Sequence, residues 1–213
     1  IVHTFNRYAD HADFSLIEGN MGLFDSLDLT GKASNAALAA RLHAPVILIL
    51  DVKGATRSIV PIIQVFQRFD PHIRIAGVIL NQIGGARHEQ RLREVIAHYC
   101  DIPVVGALHR DPSLAITERH LGLIPSSEAP REAALLSHAI TRTVARQIDV
   151  EAIMAIAATA QRPEAEAEPP PPPPTPIQPP LRIGIARDPA FGFYYADDLE
   201  SLRQQGAELI FFN

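Results

Sequence analysis

The sequence holds one cysteine in 213 residues. An internal disulfide is therefore excluded, and Cys100 has no companion for a cysteine-rich zinc site, so any metal must be held by oxygen or histidine. A basic excess is missing as well: 19 Lys and Arg face 24 Asp and Glu, for a net charge of −5. Such a chain has no positive field for gripping a phosphate backbone, and nucleic acid is not an expected partner. Long apolar runs are also lacking. Stretches such as Val46–Leu50 are strand-sized, far short of the ~20 residues that span a bilayer. No membrane partner is expected, no signal peptide is visible, and the cytoplasm is the expected compartment.

Proline is unevenly spread. Ten of the 18 prolines fall between Pro163 and Pro180, so ordinary globular sequence is interrupted by one proline-rich break. Residues 161–180, QRPEAEAEPPPPPPTPIQPP, suit neither helix nor sheet and read as a semi-rigid polyproline linker. The break divides the chain into a domain over 1–160, the linker, and a second domain begun over 181–213. The chain opens on Ile1 and stops at Asn213 straight after the apolar run Leu209–Phe212, so both ends are expected to be cuts.

From Asp13 to about Ala107 short apolar runs alternate with helical patterns, the signature of a parallel sheet covered by helices. Strands are expected at 14–18, 46–51, 75–81 and 104–107. Between them Ile59, Ile62, Ile63 and Phe66 share one helical face, as do Leu92, Val95, Ile96 and Tyr99. Ser58 reads as an N-cap that leaves Pro61 in the first turn. An alanine-rich helical stretch runs with interruption over about 131–160. After the linker come a strand at 182–186, a helix capped by Asp197 with Glu200 and stopped by Gly206, and a strand at 208–212.

Three expected strands end in a polar residue after an apolar run: Phe14–Glu18, Ile47–Asp51 and Gly77–Asn81. Carboxyl ends of parallel strands point one way, so Glu18, Asp51 and Asn81 are expected to line one crevice, where open α/β sheets bind ligands. Glu18 and Asp25 flank a glycine-containing turn and suit a Mg²⁺ that keeps waters and takes its other ligands from phosphates. Asn81 offers the donor and acceptor that read an adenine edge. Asp51 reads better as holding a helix N-terminus. No GxxxxGK[ST] loop is present; if ATP is the ligand, its phosphate loop is expected before Ile1. The histidines lack tight metal spacing and read as surface imidazoles, and Cys100 reads as structural.

Several of these segments together resemble the cobyrinate a,c-diamide synthase family. They are Glu18-Gly19-Asn20-Met21-Gly22-Leu23-Phe24-Asp25, Ala76–Asn81, Pro103–Asp111 and Glu118–Leu123. Beyond the linker, Ile185–Asp188 with Phe191–Tyr195 resembles the opening of that family's glutamine amidotransferase domain. The resemblance implies an α/β fold, a P-loop NTPase-like (dethiobiotin synthetase-like) mostly parallel sheet with helices on both faces. It implies behind this the first βαβ unit of a class I glutamine amidotransferase-like domain. The implied activity is a carbon–nitrogen ligase of cobalamin biosynthesis. ATP and glutamine would drive amidation of the a- and c-acetate carboxylates of cobyrinate or hydrogenobyrinate through acyl phosphates. The implied cofactors are ATP and Mg²⁺, and the implied partners are a corrinoid substrate and glutamine; a homodimer is compatible. Carried over by position, Glu18 is the Mg²⁺ ligand, Asp25 the second acid of the catalytic segment, Asn81 the adenine reader and Arg110 a nucleotide-edge residue. The glutaminase cysteine and histidine would lie beyond Asn213, so the 213-residue piece alone is expected to be inactive. The alternative is a P-loop-like nucleotide switch, a partitioning or assembly module without amidation.

Overall fold

The computed structural model describes residues 1–112, 118–119, 122–123, 130–164, 181–188, 191 and 193–213. Most of the proline-rich segment, and Gly192, lie outside these. The chain divides into two compact units: Ile1–Ser113 with Thr141–Ala167, and Leu114–Ile140 with Glu168–Asn213.

The first unit begins with two short helices that periodicity did not foretell, α1 (Val2–Ala9) and α2 (Asn35–Arg41). The hydroxyl of Ser34 accepts the Ala37 N–H at 3.1 Å and so starts α2. Then three expected strands appear: β1 (Val46–Asp51), β2 (Ile75–Ile83) and β3 (Val104–His109), parallel and in the order β1-β2-β3. A parallel sheet buried on both faces needs near-continuous apolar strands, and ILIL and GVIL supply them. Helices α3 (Ile59–Phe69) and α4 (Ala86–Tyr99) bring Ile59, Ile63, Leu92 and Ile96 into one core with Leu48, Leu50, Val78, Leu80 and Ala107. Full burial of a leucine or isoleucine contributes about 1.5–3 kcal/mol. Ser58 precedes α3 as expected, but its side chain caps nothing.

The alanine-rich helical stretch breaks, as its interruption suggests, into α5 (Pro130–Val144) and α6 (Val150–Ala157). Helix α6 approaches the sheet where Gly77 leaves room: a Cβ there would lie 3.1 Å from the Ile156 side chain. The connection between the helices runs beside β3, with Ala107 N–H donating to Gln147 O and Asp149 N–H to Val105 O. This antiparallel bridge, Gly106 to Ile148, closes the outer edge of β3.

The outer edge of β1 has no such cover among the described residues, and here one expectation fails. Residues 14–18 form no strand. Leu16 is 83% exposed and Ile49, on β1, is 63% exposed. A strand exists only through a ladder to a neighbour, and Phe14–Glu18 has none among the described residues. Cys100 is free and buried, and burial pushes its thiol up, as a structural cysteine requires.

In the second unit, β4 (Glu118–Arg119) pairs antiparallel with β5 (Gly122–Leu123), and β6 (Arg182–Ala186) pairs parallel with β7 (Glu208–Phe212) across helix α7 (Ala196–Gln204). Asp197 is not the cap of α7. Tyr195 holds that position, which leaves Asp197 and Asp198 in the first turn, where their charge favours the helix dipole. Gly206, at φ +86°, ends the helix as expected.

Candidate functional site

The carboxyl edge of the sheet gathers part of the expected constellation. Asp51 and Asn81 are register partners at the ends of β1 and β2. Beyond Leu80 the register with β3 slips: Leu80 faces Ala107, but Ile83 faces His109, so β2 carries one extra residue. Such a bulge re-aims a side chain at the end of a strand. Gln82 sits at φ +66°, unusual for a residue with a Cβ, and its N–H donates to Asn81 Oδ1 at 2.9 Å. That bond fixes the amide orientation and leaves the Asn81 NH₂ as the group for an outside acceptor. Arg110 follows β3, tied down by its N–H to Ile83 O at 2.9 Å. Its guanidinium lies over Gly84, where a Cβ would come within 2.9 Å of Nη2, and it has no ion pair among the described residues. Asp51, expected to hold a helix N-terminus, instead accepts the Lys53 N–H at 2.8 Å in a local turn. The next helix starts only at Ile59, too far along the chain for such a cap.

The segment with Glu18 and Asp25 is placed differently. Glu18 is exposed in a segment without regular secondary structure, so the structure brings Asp51, Asn81 and Arg110 to one edge without a Glu18 strand end beside them. Leu23 and Phe24 are anchored. Leu23 O accepts the Ala36 N–H, Asn35 donates to Met21 O at 2.8 Å, and Phe24 packs on Phe66 and Phe69 at centroid distances of 5.4 and 4.7 Å. Those aromatics lie in the last turns of α3, the end from which the chain returns to the start of β2. Asp25 folds its carboxylate back over Gly22, where any Cβ would collide with it.

Three features escaped the sequence reading. Asp28 accepts from the Ser26 and Thr30 hydroxyls, each at 2.6 Å, and from the N–H groups of Thr30, Lys32 and Ala33. Ser26 foremost, then Thr30, holds its carboxyl far below the usual carboxylate range. The alternation Ser26-x-Asp28-x-Thr30 was the available signal. His88, read as a surface imidazole, is half-buried and bonded at both ring nitrogens: Gly84 N–H donates to Nδ1 at 3.0 Å, and Nε2 lies 2.6 Å from Ala55 O. His109 likewise is engaged, with Nε2 2.7 Å from Glu89 and its N–H on the Gln147 side chain. Burial works against the Glu89 charge, but hydrogen bonds from His109 and Arg93 outweigh it and hold that carboxyl below its ordinary range. Among the described residues no cluster of three His, Cys, Asp or Glu could hold a metal unaided. No helix among them is long and apolar enough to cross a membrane.

A family model described as an AAA domain matches residues 1–119. The chain is 42% identical to the cobyrinate a,c-diamide synthase of Magnetococcus marinus, over 100% of this chain and 46% of that protein. The chain belongs to the AAA domain family and to the cobyrinate a,c-diamide synthase family. The same name is carried by a relative from Methanosarcina acetivorans, 39% identical over 95% of this chain and 42% of its own length. A relative from Listeria monocytogenes serotype 4b is 36% identical over 98% and 46%. The chain thus spans a little under half the length of these family members. No solved structure matches it. The mostly parallel sheet with flanking helices fits the P-loop NTPase-like α/β fold expected of this family.

Proposed function

We propose that this chain is the nucleotide-handling part of an enzyme of cobalamin biosynthesis, working in the cytoplasm. It would amidate the a- and c-acetate carboxylates of cobyrinate or hydrogenobyrinate with ATP and glutamine. The observation that carries the reading is the bulged edge of Asn81 and Arg110 in a chain of this family. A carboxylate resists attack by an amine, so it must first be given a leaving group. A carboxylate oxygen attacks the γ-phosphorus, ADP departs, and ammonia then displaces phosphate from the acyl carbon.

Each residue has a task in that scheme. The NH₂ of Asn81 donates to an acceptor on the adenine edge while its Oδ1 stays on Gln82. The Arg110 guanidinium faces the nucleotide from the end of β3. Glu18 and Asp25 are hard oxygen donors whose carboxylates make no hydrogen bond among the described residues; that of Asp25 lies folded over Gly22. By the family resemblance they would hold a Mg²⁺ that retains waters and borrows phosphate oxygens, although Phe24, beside Asp25, is anchored at the end of α3 away from the Asn81 edge. When bound, Mg²⁺ neutralises charge that develops on the phosphoryl oxygens. The β6–α7–β7 unit would begin the glutamine amidotransferase-like domain that supplies ammonia.

Incubating the full-length protein with cobyrinate or hydrogenobyrinate, ATP, Mg²⁺ and glutamine tests the reading by mass spectrometry. Two successive exchanges of OH for NH₂ are expected, each coupled to ADP formation and absent without ATP. Equal turnover of a diacid that is not a corrinoid would remove the corrinoid assignment.

A further inference from the structure

We propose that His88 is a positioning residue for the nucleotide edge, its imidazole fixing the loop after β2 against the loop after β1 and thereby the placement of Asn81 and Arg110. This rests on the reading of that edge as the ATP site. The loop after β2 has little else to hold it. It contains Gly84 and Gly85, the latter at φ +143°, and no side chain caps the start of α4. Gly84 N–H would be an orphan donor there. His88, in the first turn of α4, takes it on Nδ1 at 3.0 Å. With Nδ1 accepting, the ring proton sits on Nε2 and is donated to Ala55 O at 2.6 Å.

Ala55 belongs to the turn after β1, closed by its own N–H to Val52 O and braced at its base by Asp51 on Lys53. One neutral imidazole therefore spans two loops whose feet are the register partners Asp51 and Asn81. The Arg110 guanidinium lies against Gly84 itself, so a shift of that glycine moves the seat of the arginine as well. The next residue, Glu89, reaches the other way to His109 at the end of β3. The first turn of α4 thus ties all three strand ends.

The chemistry names its own rescue. A glutamine carries an acceptor and a donor at its tip and can make both bonds; leucine fills the volume and makes neither; asparagine is one methylene too short to span both groups. In the full-length protein His88→Leu and His88→Asn are expected to raise the KM for ATP about tenfold, with kcat and the corrinoid KM within about twofold of wild type. His88→Gln is expected to restore most of the ATP affinity. Amide exchange at Gly84 should quicken in the leucine and asparagine variants and slow again in the glutamine one. An ATP KM untouched in His88→Leu and His88→Asn, or a loss that His88→Gln does not recover, overturns the positioning role. A wild-type protein that amidates without ATP overturns instead the reading of the edge on which it rests.

Discussion

Two segments of the first unit read alike and fold differently. Phe14-Ser15-Leu16-Ile17-Glu18 and Gly77-Val78-Ile79-Leu80-Asn81 are both apolar runs closed by a polar residue. The second is the middle strand of a sheet, with Leu80 fully buried and a ladder on each side. The first has no regular secondary structure, and its Leu16 lies in solvent. Hydrophobic patterning supplies the side chains of a strand, but its backbone hydrogen bonds belong to neighbours. A run without a neighbour keeps its composition and loses its structure. The two segments also hold their polar ends differently. Asn81 is aimed by a bulge and a hydrogen bond, whereas Glu18 is exposed and its side chain has no hydrogen bond among the described residues.

The contrast can be broken or sharpened by substitution. Glu18→Gln in the full-length protein is expected to have the largest effect, lowering Mg²⁺-dependent amidation about a hundred- to a thousandfold. The melting temperature should not move, because Glu18 is exposed. Unchanged amidation, assayed across a Mg²⁺ titration, would strip the exposed segment of its role. Next in size is a matched pair. Leu80→Ala should cost about 3 kcal/mol of stability by urea unfolding, and Leu16→Ala less than about 0.5 kcal/mol. Equal losses would show that residues 14–18 are packed as a strand after all, and the contrast would vanish.

The smallest expected effect is a pH dependence. Glu89 has its carboxyl lowered in the folded protein, so the unfolded chain binds more protons between the two values. Its contribution is therefore complete above the ordinary glutamate value of 4.5 and is lost as pH falls through the lowered folded value. Glu89→Gln should flatten the acid limb of the stability curve and leave it unchanged near neutrality. An acid limb identical in the variant would mean that the His109 and Arg93 bonds do not favour the charged form.

Much of the sheet was legible. Val46–Asp51 is found with the expected bounds, β2 and β3 run two residues longer than expected, and β6 and β7 match. Continuous apolar runs in an α/β alternation leave few other ways to bury them. Helices α1 and α2 were not legible: α1 buries no residue, and the seven-residue α2 meets the core only through the small side chains of Ala36, Ala39 and Ala40 and is started by Ser34. The Asn81 edge was half legible. Strand ends pointing one way could be inferred for Asp51 and Asn81, but the extra residue at the end of β2 that turns Asn81 could not. His88 was missed for a similar reason. A histidine four residues after a glycine looks like any surface imidazole until the loop after β1 is seen to offer Ala55 O.

The sequence by itself determined the alternation of strands and helices, the proline-rich break and the motifs shared with the family, because these depend on residues near one another in the chain. Only the tertiary structure decided which apolar run found a ladder, how Asn81 is aimed, and that one imidazole spans two loops. Those outcomes depend on hydrogen-bond partners brought together from distant parts of the chain: Ala55 meets His88, Asn81 meets Asp51, and Phe14–Glu18 meets no strand among the described residues.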